Sequence, residues 1–297
     1  VDLAYLREHP HLLPTFLTHQ RIRETPVPGG SICQASRLTL DDGNSIFTKA
    51  WPAGSARPES FFEAEASGLA WLREAGAVPV PEVIAALPEL LALEWIDTGA
   101  PTATAAEELG RRLALLHRSG APAFGADWPG YLGRLPMPND PSDGPWPDWF
   151  ARTRLEPLLR RCVDAGALDT ADAAEVGRLL ADVDRIAGPA GAEPPARIHG
   201  DLWPGNLLWS AAGPAYLIDP AAHGGHRETD LANLALFGGA PHLDRILDGY
   251  QDVWPLADGW RRRVPLHQLH LLLAHVAMFG STYRPGVLAA VRATVME

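Results

Sequence analysis

Hydrophobic and polar positions change period several times along this chain, and each change predicts an element. From Leu3 to Gln20 apolar residues recur at helical spacing, but Pro10 and Pro14 interrupt the run, so a short broken helix is expected. Residues 21–27 and 34–40 read as strands on either side of Pro28-Gly29-Gly30-Ser31-Ile32. Asp42-Gly43 is a hairpin turn into Ser45-Ile46-Phe47-Thr48-Lys49, which puts Lys49 at the end of a third antiparallel strand. Between Glu59 and Glu74 an apolar stripe of Phe62, Ala66, Leu69 and Leu72 predicts a helix with Glu65 at the stripe's edge, facing the sheet. Residues 77–83 end that helix, and Leu90 to Ile96 form a further strand running into Asp97-Thr98-Gly99.

There the texture changes, which divides the chain into a sheet-bearing part, 1–96, and a mostly helical part, 97–297. Thr104 to Arg118 is a helix with Leu109, Leu113, Leu116 and His117 on one face. Residues 121–147, rich in Pro, Gly and Trp and without periodicity, form a long ordered loop or a mobile lid. Helices are expected over 149–162, 170–186, 230–237, 241–254 and 259–280, with a buried strand over 215–218. The fold class is therefore α+β, with a small antiparallel sheet, one key helix against it, and a larger helical body.

Composition narrows the partners. The chain has 297 residues and a formal net charge of -11, which disfavours nucleic acid. No run of eighteen apolar residues and no basic-then-apolar leader is present, so no membrane association and a cytoplasmic location are expected. Two cysteines, Cys33 and Cys162, are too few for a disulfide framework and lack metal-ligand spacing. Alternation places Cys33 on the side opposite Ile32, pointing into the sheet as a small apolar residue. Nothing in the sequence specifies an oligomeric state.

The chemistry concentrates in His199-Gly200-Asp201-Leu202-Trp203-Pro204-Gly205-Asn206 and in Ile218-Asp219-Pro220, which follows the apolar strand. An Asp, an Asn five residues on and a strand-borne Asp thirteen further suit magnesium-dependent phosphoryl transfer. In that arrangement Asp201 orients and deprotonates the attacking hydroxyl, while Asn206 and Asp219 hold Mg2+ bridging the phosphates of ATP. The competing reading is an ordinary loop with a capping Asp and a turn Asn. Lys49 is the only lysine in the chain, so no other primary amine can meet the inner phosphates. Glu65 is the preferred partner for Lys49; Glu63 is the runner-up, with a solvated helix face as its alternative. Gly29, Gly30, Ser31 and Ile32 form a turn whose amides could cradle phosphates, or a plain hairpin turn. His199 reads as a structural histidine. Asp230 reads either as a buried acceptor of catalytic-loop amides or as a simple helix cap.

A Gly-rich hairpin, a strand lysine with a helical glutamate, and a helical second part with metal-binding carboxylates resemble the protein-kinase-like fold, here without Ala-Pro-Glu or a long activation segment. Narrower stretches, Trp203-Pro204-Gly205-Asn206, His226-Arg227-Glu228-Thr229-Asp230-Leu231-Ala232 and Leu236-Phe237-Gly238-Gly239, are similar to the fructosamine kinase or ketosamine 3-kinase family. That family belongs with aminoglycoside and choline phosphotransferases. The resemblance implies ATP-dependent phosphorylation of the 3-hydroxyl of a ketosamine, whose phosphorylated adduct then decomposes and frees the amine. It makes Glu94, Trp95 and Ile96 the hinge beside adenine, and brings Trp203, Trp146, Trp149, His223, Arg227, His275 and Tyr283 near the cleft. Of these, Trp203 and His275 are the substrate candidates, through stacking and attraction of an ammonium. One departure is Ser31, where many members carry a cysteine. A kinase for another hydroxylated amine, and a non-catalytic nucleotide-binding protein, remain as alternatives.

Overall fold

The computed structural model describes residues 3–19, 22–30 and 32–295. Helix α1 (Leu3–Glu8), a 3₁₀ turn at Pro10–Leu12 and α2 (Leu13–His19) form the expected broken helix. Strands β1 (Arg23–Pro26), β2 (Gln34–Thr39) and β3 (Ser45–Ala50) follow, then α3 (Phe61–Glu74), β4 (Val83–Leu87) and β5 (Leu90–Glu94). They make one antiparallel five-stranded sheet in the order β1-β2-β3-β5-β4. β4 was not foreseen, because two prolines precede it and a register shift between Val83 and Ala85 breaks its alternation.

Strand parity decides which way Lys49 points. Ile46 packs on one face of the sheet with Leu6, Leu13, Leu38 and Ala92, under the amino-terminal helices. Phe47 packs on the other, with Phe61, Phe62, Leu69 and Leu93 against α3. Lys49, two residues beyond Phe47, shares that face and so meets α3.

The helical part opens with α4 (Ala103–Arg118), capped by the Thr102 hydroxyl, which accepts from Ala105 N at 3.1 Å. Residues 121–147 are an ordered segment: β6 (Gly130–Leu132) and β7 (Leu135–Met137) pair as a hairpin, and Phe124, Leu132, Leu135, Met137 and Trp146 are buried in a common core. Next come α5 (Trp146–Phe150), a π-helical turn at 151–155, α6 (Glu156–Asp164), α7 (Thr170–Ala181) and α8 (Val183–Ala187). The helix expected over 170–186 thus divides at Asp182. Strands β8 (Ala196–Ile198), β9 (Leu207–Trp209), β10 (Ala215–Leu217) and β11 (His223–Gly225) carry the central loops. β9 pairs with β10 and β11 with β8.

The last helices are α9 (Arg227–Asn233), α10 (Leu243–Val253), α11 (Trp260–Phe279) and α12 (Arg284–Val295). α9 starts and stops earlier than the expected 230–237, since His226 caps it and Phe237, Gly238 and Gly239 all take positive φ. α12 was not foreseen. α4 and α10 touch backbone to backbone: a Cβ on Gly110 would lie 1.9 Å from the Ile246 carbonyl oxygen. The core beneath α3 also takes in Leu202, Leu207, Leu217 and Leu231, so the sheet and the 199–206 loop share one packed interior. Among the described residues no helix is long and apolar enough to cross a membrane.

Candidate active site

The loop 199–206 leaves β8 and is held from below. His199 is fully buried; its Nε2–H donates to the Ile218 carbonyl at 2.9 Å, tying this loop to the strand that delivers Asp219. Asp230 on α9 accepts from His199 N at 2.7 Å and from Gly200 N at 2.9 Å. His117 Nε2–H donates to the same carboxylate at 3.2 Å, and His117 Nδ1 faces the Tyr250 hydroxyl at 2.9 Å. Burial alone would raise the Asp230 pKa, but the His117 hydrogen bond and the His199 contacts hold it below its ordinary value. Asp230 is thus the buried acceptor of loop amides, within the first turn of α9.

Gly200 adopts φ +82°, and a Cβ there would lie 2.3 Å from the Ala221 carbonyl oxygen, so only glycine fits. Asn206 Nδ2 donates to the Asp201 carbonyl at 2.8 Å, to Asp201 Oδ2 at 3.2 Å and to the Asp219 carbonyl at 3.4 Å. Asp219 itself sits at φ +57°, a left-handed conformation for a non-glycine residue, which turns its carboxylate out of the strand direction. Lys49 Nζ donates to Glu65 Oε1 at 2.7 Å and to Asp219 Oδ1 at 2.6 Å.

Five predicted residues, Lys49, Glu65, Asp201, Asn206 and Asp219, therefore stand together. Burial opposes the Lys49 charge, yet Asp219 and Glu65 outweigh it and hold its pKa above normal. Burial, then the charge of Asp219, pushes the Asp201 carboxyl well above the usual range. Glu63 is not on a solvated face: its Oε2 is buried, without a hydrogen-bond partner among the described residues.

Around this centre, Gly29 and Gly30 take φ +107° and +77° in an exposed turn. Ser31 lies outside the described residues. Ile32 reaches the β6–β7 turn, where a Cβ on Gly133 would meet Ile32 Cδ1 at 2.9 Å and Met278 Sδ at 2.7 Å. Cys33 departs from its expected setting: it is half-buried at the edge of the same core as Ile32, close enough to feel Lys49, Glu65 and Asp219, and burial pushes its thiol up to about 11. Glu94 is engaged with Glu82 through N–H to carbonyl at 2.9 Å, Trp95 stacks under Arg37 at 4.5 Å, and Ile96 is buried.

Beyond Asp201 the Trp203 ring stands edge-on to Phe237 at 5.7 Å, and Phe237 tilts over His275 at 4.6 Å. Tyr283 and Phe279 flank His275 at 5.0 and 5.6 Å, completing an aromatic wall. Burial keeps His275 neutral, and its Nδ1–H donates to the Leu271 carbonyl at 2.8 Å, which leaves Nε2 as an acceptor. Sequence reasoning missed Phe237 and Phe279; the signal for Phe237 was its place before Gly238-Gly239, where it is held at φ +52°. Trp146, Trp149 and Arg227 are not at the site. Trp146 and Trp149 are core residues, and Arg227 is buried against Glu193 and Trp254. The buried set His226, Glu228 and His267 is a structural network, because Arg263 occupies both oxygens of Glu228 at 2.8 and 2.6 Å.

A lysine bridging two acids, beside an Asp–Asn pair on an adjoining loop, is an arrangement suited to phosphoryl transfer, and comparison with known proteins agrees. The fructosamine kinase family model matches residues 11–296. This chain belongs to the fructosamine kinase family. A probable ketoamine kinase of Enterococcus faecium is 34% identical over 260 residues, covering 87% of this chain and 90% of that protein. A crystal structure from Thermobifida fusca, provisionally assigned as a fructosamine-3-kinase, superposes with a TM-score of 0.88 at 47% identity, over 95% of this chain and 97% of that one. The Cryptosporidium parvum choline kinase, 13% identical with a TM-score of 0.58 over 99% and 93% of the two chains, shares the fold. The family member described here is thus a kinase with the two-part protein-kinase-like architecture.

Proposed function

We propose that this kinase transfers the γ-phosphoryl group of ATP, with Mg2+, to the 3-hydroxyl of a ketosamine. The observation that carries the reading is Lys49 held between Glu65 and Asp219 with Asp201 and Asn206 beside them, in a chain of this family. Residues 1–96 form the nucleotide-binding lobe and 97–297 the catalytic and substrate lobe.

The donor set fits a hard cation. Asp219 offers carboxylate oxygens on a side chain that is 41% exposed, and the amide nitrogen of Asn206 is spent on Asp201 and Asp219, so its oxygen is the free end. Magnesium, when bound by Asp219 and Asn206, supplies charge neutralisation for the phosphates. Lys49, oriented by Glu65, does the same for the inner phosphates. Gly29, Gly30 and Ile32 cover them with backbone amides, and Glu94, Trp95 and Ile96 offer backbone to the adenine edge. Asp201 aligns the acceptor hydroxyl and takes its proton late, since a loose transition state asks for positioning more than for a strong base. The sugar and its ammonium lie against Trp203 and His275, whose faces and free Nε2 suit a polyhydroxylated amine.

The test is ADP release with ATP and magnesium on ribulose-lysine, erythrulose-lysine, fructose-lysine, kanamycin and choline. Turnover is expected on at least one ketosamine, falling about 10²–10⁴-fold in Asp201→Asn. Turnover confined to kanamycin or choline would overturn the substrate and keep the catalytic roles. Wild-type activity in Asp201→Asn would overturn the roles themselves.

A further inference from the structure

Next to the Gly200 backbone lies a small cavity that the proposed reaction does not use. Asn139, Arg154, His223 and His270 line it together with Tyr131, Leu132 and Met137, and it has room for one water-sized occupant, about 10 Å³. A second cavity of similar size shares Arg154, His223 and His270.

Arg154 is the unusual member. Its side chain is buried, 4% exposed, and stacks over the Trp149 ring at 4.4 Å. Nη1–H groups donate to the Pro138 and Thr153 carbonyls, and Nη2–H donates to Asn139 Oδ1 at 2.9 Å. Asn139 is fixed in that orientation by its own amide, which donates to the Trp128 carbonyl at 3.0 Å. Three of the five guanidinium N–H groups are thus spent, all on neutral acceptors.

Carbonyl oxygens satisfy N–H groups without cancelling a charge. Among the described residues no carboxylate forms an ion pair with Arg154, and burying an ion without a counter-charge is strongly unfavourable. Burial alone draws the Arg154 pKa down to about 9. Its titratable neighbours do not help. Burial first, then the Arg154 charge, keeps His223 neutral, and burial holds His270 at about 4. The missing negative charge is therefore not supplied by any described residue, and the adjoining cavity is where one can sit.

We propose that this cavity binds one small monovalent anion of the halide class, held by the unspent N–H groups of Arg154 behind the Gly200–Asp201 segment. A halide carries the compensating charge, accepts from those N–H groups, has no proton that would need an acceptor from the site, and is only somewhat larger than water. The site is independent of which sugar the enzyme phosphorylates.

Two measurements on the full chain test it. Crystals soaked in sodium bromide should give an anomalous peak in the cavity, within hydrogen-bond reach of Arg154. In thermal unfolding, sodium chloride or bromide should stabilise relative to sodium gluconate at equal ionic strength, raising the folded-to-unfolded ratio about elevenfold at ten times the dissociation constant. Arg154→Met keeps an apolar stem against Trp149 and removes the charge, so both the peak and the halide response should vanish. A bromide map with only water in the cavity, or an equal halide response in wild type and Arg154→Met, overturns the proposal. If Arg154→Met does not fold, the wild-type bromide map decides alone.

Discussion

Asp230→Ala tests the support of the 199–206 loop most directly. The carboxylate is fully buried and accepts from two amides, His199 N at 2.7 Å and Gly200 N at 2.9 Å, and from His117 Nε2 at 3.2 Å. Truncation leaves those donors in an interior where each unsatisfied group costs about 1–3 kcal/mol. Relief of carboxylate desolvation offsets part of the sum, and removal of one member of a buried charged network typically costs about 3–5 kcal/mol. We expect about 3–5 kcal/mol, a large share of the ~5–15 kcal/mol that stabilises a folded domain. Asp230→Asn retains one acceptor oxygen but turns an NH₂ toward a donor, and should lose roughly half as much. Urea unfolding followed by circular dichroism gives both values, with m-values checked for constancy. Because Asp201 follows the two anchored residues, kcat should fall even under conditions where the variant is fully folded, by up to about 10²-fold for a displacement near 1 Å. A loss under about 1 kcal/mol for Asp230→Ala, or wild-type stability and rate in Asp230→Asn, would refute this account of the loop.

Three further outcomes are expected. Gly200→Ala should misplace the loop, because φ +82° and a Cβ 2.3 Å from the Ala221 oxygen cannot both be accommodated; a lowered melting temperature with unchanged activity per folded molecule would contradict this. Glu65→Gln keeps a hydrogen-bond partner for Lys49 but removes its charge, so ADP release should fall about tenfold, while Lys49→Met should cost about 10²-fold or more; equal effects would show that Glu65 does more than orient Lys49. On acidification, burial holds His226 and His270 at about 4, whereas the unfolded chain protonates them near 6.5, so stability should decline as pH falls between those values. Glu228 and Asp230 lie below their ordinary 4.5 and 3.8 in the folded state, so their contribution is complete above those values and is lost as pH falls through the folded ones. Melting temperatures that do not fall between pH 6.5 and 4 would count against neutral buried histidines.

Much of the site was legible because it is locally encoded. The offsets from Asp201 to Asn206 and Asp219 set a loop and a hairpin whose geometry follows from the intervening glycines and the short strand. Period-two alternation put Lys49 on the face of Phe47, and a helical stripe put Glu65 beside that face. What local pattern left open was decided by contacts between distant parts of the chain. Glu65 rather than Glu63 meets Lys49 because core packing sets the rotation of α3. The contact between Lys49 and Asp219 spans 170 positions and exists only once the sheet and the helical body share a core. Asp230 became an amide acceptor rather than a simple cap because α9 runs beneath the loop, and β4 formed because β5 offered it an edge. Periodicity and turn chemistry are properties of neighbouring residues and are written in the sequence. Which charge has no counter-charge among the described residues, as at Arg154, is a property of the packed whole, because desolvation depends on everything that surrounds the group.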